Sequence, residues 1–171
     1  MHKRLRKIRA LRRSRRFLTT RRGLKDERGV QLVELALVIP ILVMLFAATA
    51  EFGRYFYEYT TLAKASRAGA RYLATAAVNS TEDTTAKNIV VYGNSAGSGS
   101  PILYGMTTAN VTITRQGGVP VLPQTVKVQI SNFKHQPLFD LGKLANIQSL
   151  SLNVDVKPSV TMRYLLTQPP I

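Results

Sequence analysis

The chain predicts an α+β fold: a long N-terminal helix whose first half spans a membrane, followed by a small antiparallel β-sheet domain. Three observations carry this. Val30 to Ala50 is a run of 21 residues in which Glu34 is the only charge. That run matches the ~20 apolar residues an α-helix needs to cross ~30 Å of hydrocarbon. Beyond Ala50, apolar and small residues recur at spacings of three and four, the helical period, and from about residue 88 the period falls to two.

At 171 residues there is room for one modest domain besides a leader and a span. The net charge of +15 is unevenly spread. Residues 1–28 hold 13 Lys/Arg against Asp26 and Glu27, a net of +11, and residues 29–171 hold 11 against seven acids, a net of +4. A basic arm can bind nucleic acid, lie on an anionic membrane, or act as a cytoplasmic flank that fixes topology. The adjoining apolar run favours the last two. Phe17 is the leader's one aromatic residue and no nucleic-acid-binding motif is present, so no nucleic-acid partner is expected. With no cysteine, neither a disulfide framework nor a thiolate metal site can form.

The elements follow in order. Residues 1–29 form a basic cytoplasmic leader and residues 30–50 the transmembrane helix segment. Pro40 lies inside that segment, cannot donate to the Ala36 carbonyl, and is expected to kink it. Residues 51–78 continue the same helix outside the membrane, with Phe52, Phe56, Tyr59, Leu62, Ser66, Gly69, Ala70, Leu73 and Ala77 on one stripe. A helix from Val30 to Val78 would be roughly 70 Å long. Asn79-Ser80 and the polar run to Thr85 read as its stop. Residues 88–171 form an extracytoplasmic β-rich domain. It opens with the apolar run Ile89–Tyr92 and a Gly/Ser-rich loop from Asn94 to Pro101. Alternation then predicts strands around Val111 and Ile113, around Val126, Val128 and Ile130, and from Leu150 through Val156 to Val160, Met162 and Tyr164. Pro158 falls in the last and imposes a bend, a bulge, an edge position or a break. His135 to Ile147 is a connection with a short helical turn after Pro137.

Three stretches share a pattern: Glu27 to Pro40 (ERGVQLVELALVIP), Glu51-Phe52-Gly53-Arg54, and Ala65-Ser66-Arg67-Ala68-Gly69-Ala70-Arg71-Tyr72. Together they cover about 45 residues, and in them the chain resembles the TadE-like family, pilin-like proteins of the Tad (Flp) pilus system. Glycine followed by an apolar segment with glutamate at its fifth position resembles the processing site of type IV prepilins. The resemblance implies cleavage between Gly29 and Val30 by a prepilin peptidase. It also implies a role as a minor pilin or pseudopilin-like assembly subunit. The partners it implies are that peptidase, other Tad pilus subunits, the inner-membrane assembly platform and membrane lipid. The location it implies is a single-pass protein of the inner membrane, with its N-terminus cytoplasmic. Val30 stands where many type IV pilins begin with Phe or Met.

Each candidate position has two readings. Gly29 is either a flexible residue before a helix or the small residue a peptidase must accept. Glu34 is either an acid snorkelling to the cytoplasmic interface or a partner for the amino group that cleavage would free on a neighbouring subunit's Val30; a buried charge is tolerable when paired. Ala65 with Gly69 and Ser66 with Ala70 are small residues four apart. They admit either another helix backbone or the protein's own sheet. Phe52, Tyr55, Phe56, Tyr57 and Tyr59 read as an interfacial aromatic belt or as core.

No catalytic constellation, P-loop or nucleophile elbow is present, so no enzyme activity, cofactor, metal or small-molecule substrate is expected. His2 and His135 lack a second His or Cys at ligand spacing, and Asp140 and Asp155 have no evident partner. Asn79-Ser80-Thr81 and Asn110-Val111-Thr112 match the glycosylation sequon, a pattern common by chance. The alternative function is a secreted or signal-anchored binding domain. Ala48-Thr49-Ala50 fits a signal-peptidase site, but the helical pattern runs through it and Glu34 is unwelcome in a signal's apolar region. Arg15-Arg16 lies too far from the apolar run for a twin-arginine signal.

Overall fold

The computed structural model describes residues 23–144 and 146–166. Most of the basic leader, with His2, Arg15-Arg16 and Phe17, lies outside the described residues. The chain divides into two units at Leu42/Val43, and one helix contributes to both. That helix, α1, runs Gly23–Leu73 with Pro40 inside it.

In the first unit, every residue from Gly29 to Leu42 is exposed. Leu37 is 68% and Ile41 62% accessible, apolar side chains with no protein cover. An element that is hydrophobic all round is normally buried in protein or in lipid.

The second unit holds the core. Past Ala50, α1 buries Leu62, Ser66, Gly69, Ala70 and Leu73 on one stripe. It ends at Leu73, five residues before the expected Val78, as the Thr75 N–H turns back to the Tyr72 carbonyl at 3.2 Å. The polar run after it is a second helix, α2, Ser80–Tyr92, and this corrects both the stop signal and the Ile89–Tyr92 apolar run. Asn79 caps it, its side chain accepting from the Glu82 N–H at 2.8 Å, and Glu82 and Asp83 face the positive end of the helix dipole. Gly93, at φ 74°, closes it in the left-handed conformation that favours glycine. The short side chains that looked like a stop thus supply a helix start.

Strands β1 (Val111–Val119) and β2 (Leu122–Ile130) form a hairpin, and β3 (Ser159–Arg163) pairs antiparallel with β2 on its other side. The register sets Ile113 opposite Val128 and Val128 opposite Val160. Val126, Val128 and Ile130 of β2 are fully buried and share one core with Leu62, Ala70 and Leu73 of α1 and with Ala86, Val90 and Val91 of α2. The other sheet face carries Thr112, Thr114 and Thr161, exposed to solvent. One apolar and one polar face is the alternation expected of an antiparallel sheet.

Residues 150–156 are not the strand that alternation predicted. A 3-10 turn, Gln148–Leu150, is followed by irregular chain whose strand-like pairing is one bridge, Lys134 to Asp155, although Val156 reaches the core. Pro158 breaks the alternation in two: it is buried, and its carbonyl accepts the Ile130 N–H at 3.0 Å just before β3 starts. The turn expected after Pro137 is a four-residue helix, α3, Leu141–Leu144. Tyr164 ties the end of β3 down, its N–H donating to the Gln124 carbonyl at 2.9 Å and its hydroxyl to the Ala76 carbonyl.

Candidate functional site

The buried stripe of α1 does not stop at Leu62. Counting back in the same phase, at intervals of three and four, gives Glu58, Tyr55 and Glu51. Glu51 is 1% exposed, and Glu58 is half-buried. Two acids on the buried face of a helix need partners, because an unpaired buried charge is costly.

The partner is His135, which is fully buried. Its Nδ1 lies 2.8 Å from Glu58 Oε2 and its Nε2 3.4 Å from Glu51 Oε2. Arg54 completes the group: its Nη1 donates to both oxygens of Glu51 at 3.2 Å, and its Nη2 lies 4.0 Å from Glu58 Oε1. A neutral imidazole carries one N–H and donates to one carboxylate; the imidazolium donates to both. With the ring protonated, two anions face two cations. Tyr55 packs edge-on against the imidazole, ring centroids 5.6 Å apart.

Glu51 also holds backbone. Its Oε1 accepts from the N–H of Leu138 at 3.0 Å and of Phe139 at 3.2 Å. Burial opposes ionisation of this carboxyl, but the N–H groups of Phe139 and Leu138 and the Arg54 guanidinium outweigh it, so it sits below its ordinary value. The segment is fixed from the other side too. The His135 N–H donates to the Val154 carbonyl at 3.0 Å, the Val156 N–H donates to the Phe133 carbonyl at 2.8 Å, and Phe133 and Val156 belong to the core. Lys157, 2.7 Å from Asp155, holds that carboxyl below its usual range, and Asp140 accepts from the Gly142 N–H. Asp155 and Asp140, expected to lack partners, both have them. A cavity of about 590 Å³ adjoins the cluster, lined in part by Arg54, Glu58, Tyr104, Lys134 and Gln136.

This arrangement is a clamp that holds a loop to a helix. Both ring nitrogens of His135 face carboxylates, and among the described residues no group of three His, Cys, Asp or Glu could hold a metal ion.

Gly29, Val30 and Glu34 sit together near the start of α1, all exposed, with no atom within 4 Å of where a side chain on Gly29 would begin. Ser66, Gly69 and Ala70 are buried and Ala65 packs against the core. A Cβ on Gly69 would meet Val90 Cγ2 of α2 at 2.5 Å and Val128 of β2 at 3.9 Å, so this protein's own helix and sheet occupy that space. Tyr55 is partly buried against the core, whereas Phe52, Phe56 and Tyr59, expected on the apolar stripe, are exposed. The stripe's real continuation is polar, so apolar periodicity could not follow it. The signal that could have found the clamp was the phase of Glu51 and Glu58 with Leu62, Ser66, Gly69 and Leu73.

The family of TadE-like proteins matches over residues 29–71. That segment is TadE-like. The match takes in Gly29, Glu34, the helix half of the clamp and the small-residue face, and stops short of His135 and the sheet. It implies involvement in Tad pilus assembly, the work of a family that is not one of enzymes. Among the described residues, one helix near the N-terminus is long and apolar enough to cross a membrane, which fits membrane anchoring. No curated protein and no solved structure matches the chain.

Proposed function

We propose that this chain is a minor pilin or pseudopilin-like membrane subunit for assembly of a Tad (Flp) pilus, made as a precursor and cut after Gly29 by a prepilin peptidase. The observation that carries the reading is the bare apolar surface of α1 from Val30 onward, with glycine just before it and one exposed carboxylate, Glu34, at its fifth position. That surface has no partner within the described residues. Lipid would cover it before assembly and other subunits' helices in a pilus. Removal of the leader takes away a net charge of +11 and leaves an α-amino group on Val30. A neighbouring subunit's Glu34 would pair with it, setting the register between copies. The rest of the chain stands on the extracytoplasmic side, opposite the positive flank.

Mass spectrometry of the membrane-extracted protein tests the processing step. A mature chain beginning at Val30 is expected, and Gly29→Leu blocks it by steric exclusion from the peptidase. A mature chain beginning at Glu51 would establish the secreted alternative, although Glu51 lies within α1 and inside the clamp. Glu34→Ala tests the pairing: cleavage and insertion persist, and surface pili are lost. Normal pili with Glu34→Ala would reduce that residue to an interfacial acid.

A further inference from the structure

The Glu51 clamp presents something. Leu138 is 73% and Phe139 52% exposed, adjacent large apolar side chains whose backbone N–H groups are both pinned by one buried carboxylate. Isolated exposed apolar residues are ordinary; here two adjacent ones, Leu138 also lining the cavity beside the clamp, stand on a segment tied down by its backbone. Its position names the contact. The residue that pins the pair is the first after the Val30–Ala50 apolar run. The tip is therefore held at the level where α1 leaves the hydrocarbon, the stretch of helix that also exposes Phe52 and Phe56. Large apolar and aromatic side chains at that depth belong to the interfacial layer of a bilayer.

We propose that Leu138 and Phe139 form an apolar foot by which the β-rich domain rests in the interfacial lipid at the Ala50 end of the span, giving the domain a second membrane contact besides α1. The proposal rests on the reading that residues 30–50 cross the membrane. With the foot in lipid, the clamp fixes the angle at which the domain stands on the bilayer.

The protein contains no tryptophan, so a single introduced one is a clean reporter. Full-length Phe139→Trp, with Leu138→Trp as a second reporter, is reconstituted into vesicles of phosphatidylethanolamine and phosphatidylglycerol brominated at the headgroup end of the acyl chains. Phe46→Trp, within the apolar run, reports the span. Val121→Trp, at the β1–β2 turn, is the distal control. Gln124 beside that turn is bonded to Tyr164, which reaches Ala76. The turn therefore lies at the Leu73 end of α1, roughly 30 Å along the helix from Glu51. Quenching of Phe139→Trp at least twofold stronger than of Val121→Trp, together with strong quenching of Phe46→Trp, is the expected result. Quenched Phe46→Trp with Phe139→Trp and Leu138→Trp no different from Val121→Trp would overturn the foot and leave the span intact. Unquenched Phe46→Trp would overturn the span and the foot with it.

Discussion

The two halves of α1 share one backbone geometry and differ in what their side chains meet. From Val30 to Leu42 the helix is apolar on all sides and wholly exposed. From Glu51 to Leu73 it is amphipathic, and its inner stripe is buried against α2, β2 and the 133–139 loop. Among the described residues, nothing covers the apolar side chains of the first half. The second half carries its own cover. Side-chain size reflects this: the exposed half is built of Leu, Val and Ile, while the buried half narrows to Ser66, Gly69 and Ala70 where α2 and the sheet approach closely.

The largest effect expected is from Glu51→Ala. Removing one member of a buried charged group leaves the others uncompensated and costs about 3–5 kcal/mol; here two N–H groups and His135 lose an acceptor. Thermal unfolding in detergent measures it, and a loss below about 1 kcal/mol would show that the clamp is not structural. The same residue sets a pH response. Its carboxyl lies below the ordinary value of 4.5 when folded, so its contribution is complete above 4.5 and is lost as the pH falls through the lower folded value. Glu51→Gln should flatten the unfolding curve in that acid window.

Leu62→Ala sharpens the contrast directly. Leu62 is fully buried, and its truncation should cost about 2–5 kcal/mol. Leu35→Ala, in the exposed half, should change unfolding in detergent by less than about 0.5 kcal/mol. Comparable losses at the two positions would erase the distinction between the halves.

Gly69→Ala is the smallest effect expected within the buried half. A methyl gains up to about 1 kcal/mol of helix propensity. Against this, the clash with Val90 costs about 1–3 kcal/mol of overpacking. A net loss of about 1 kcal/mol is expected; because Val90 is itself fully buried, the clash shows as a double variant Gly69→Ala with Val90→Ala that loses less than the sum of the two single changes. A stabilised single variant would show that α2 yields easily.

Much of this molecule was legible from local pattern. The apolar run, the strands around Val111, Val126 and Val160, the turn after Pro137 and the TadE-like words all announce themselves over a few residues, because period and length are local properties. Tertiary structure decided what depends on partners distant in the chain. Asn79 and its polar neighbours read as a stop, and packing of Val90 and Val91 into the core makes them a helix start. The Leu150–Val156 alternation found no ladder partner beyond one bridge. Glu51 and Glu58 have no partner for burial in the local sequence beyond Arg54, because the imidazole between them lies 84 and 77 residues further along. A buried ion cluster has no sequence period; its phase is borrowed from the apolar stripe it continues, and only the folded chain brings His135 to it.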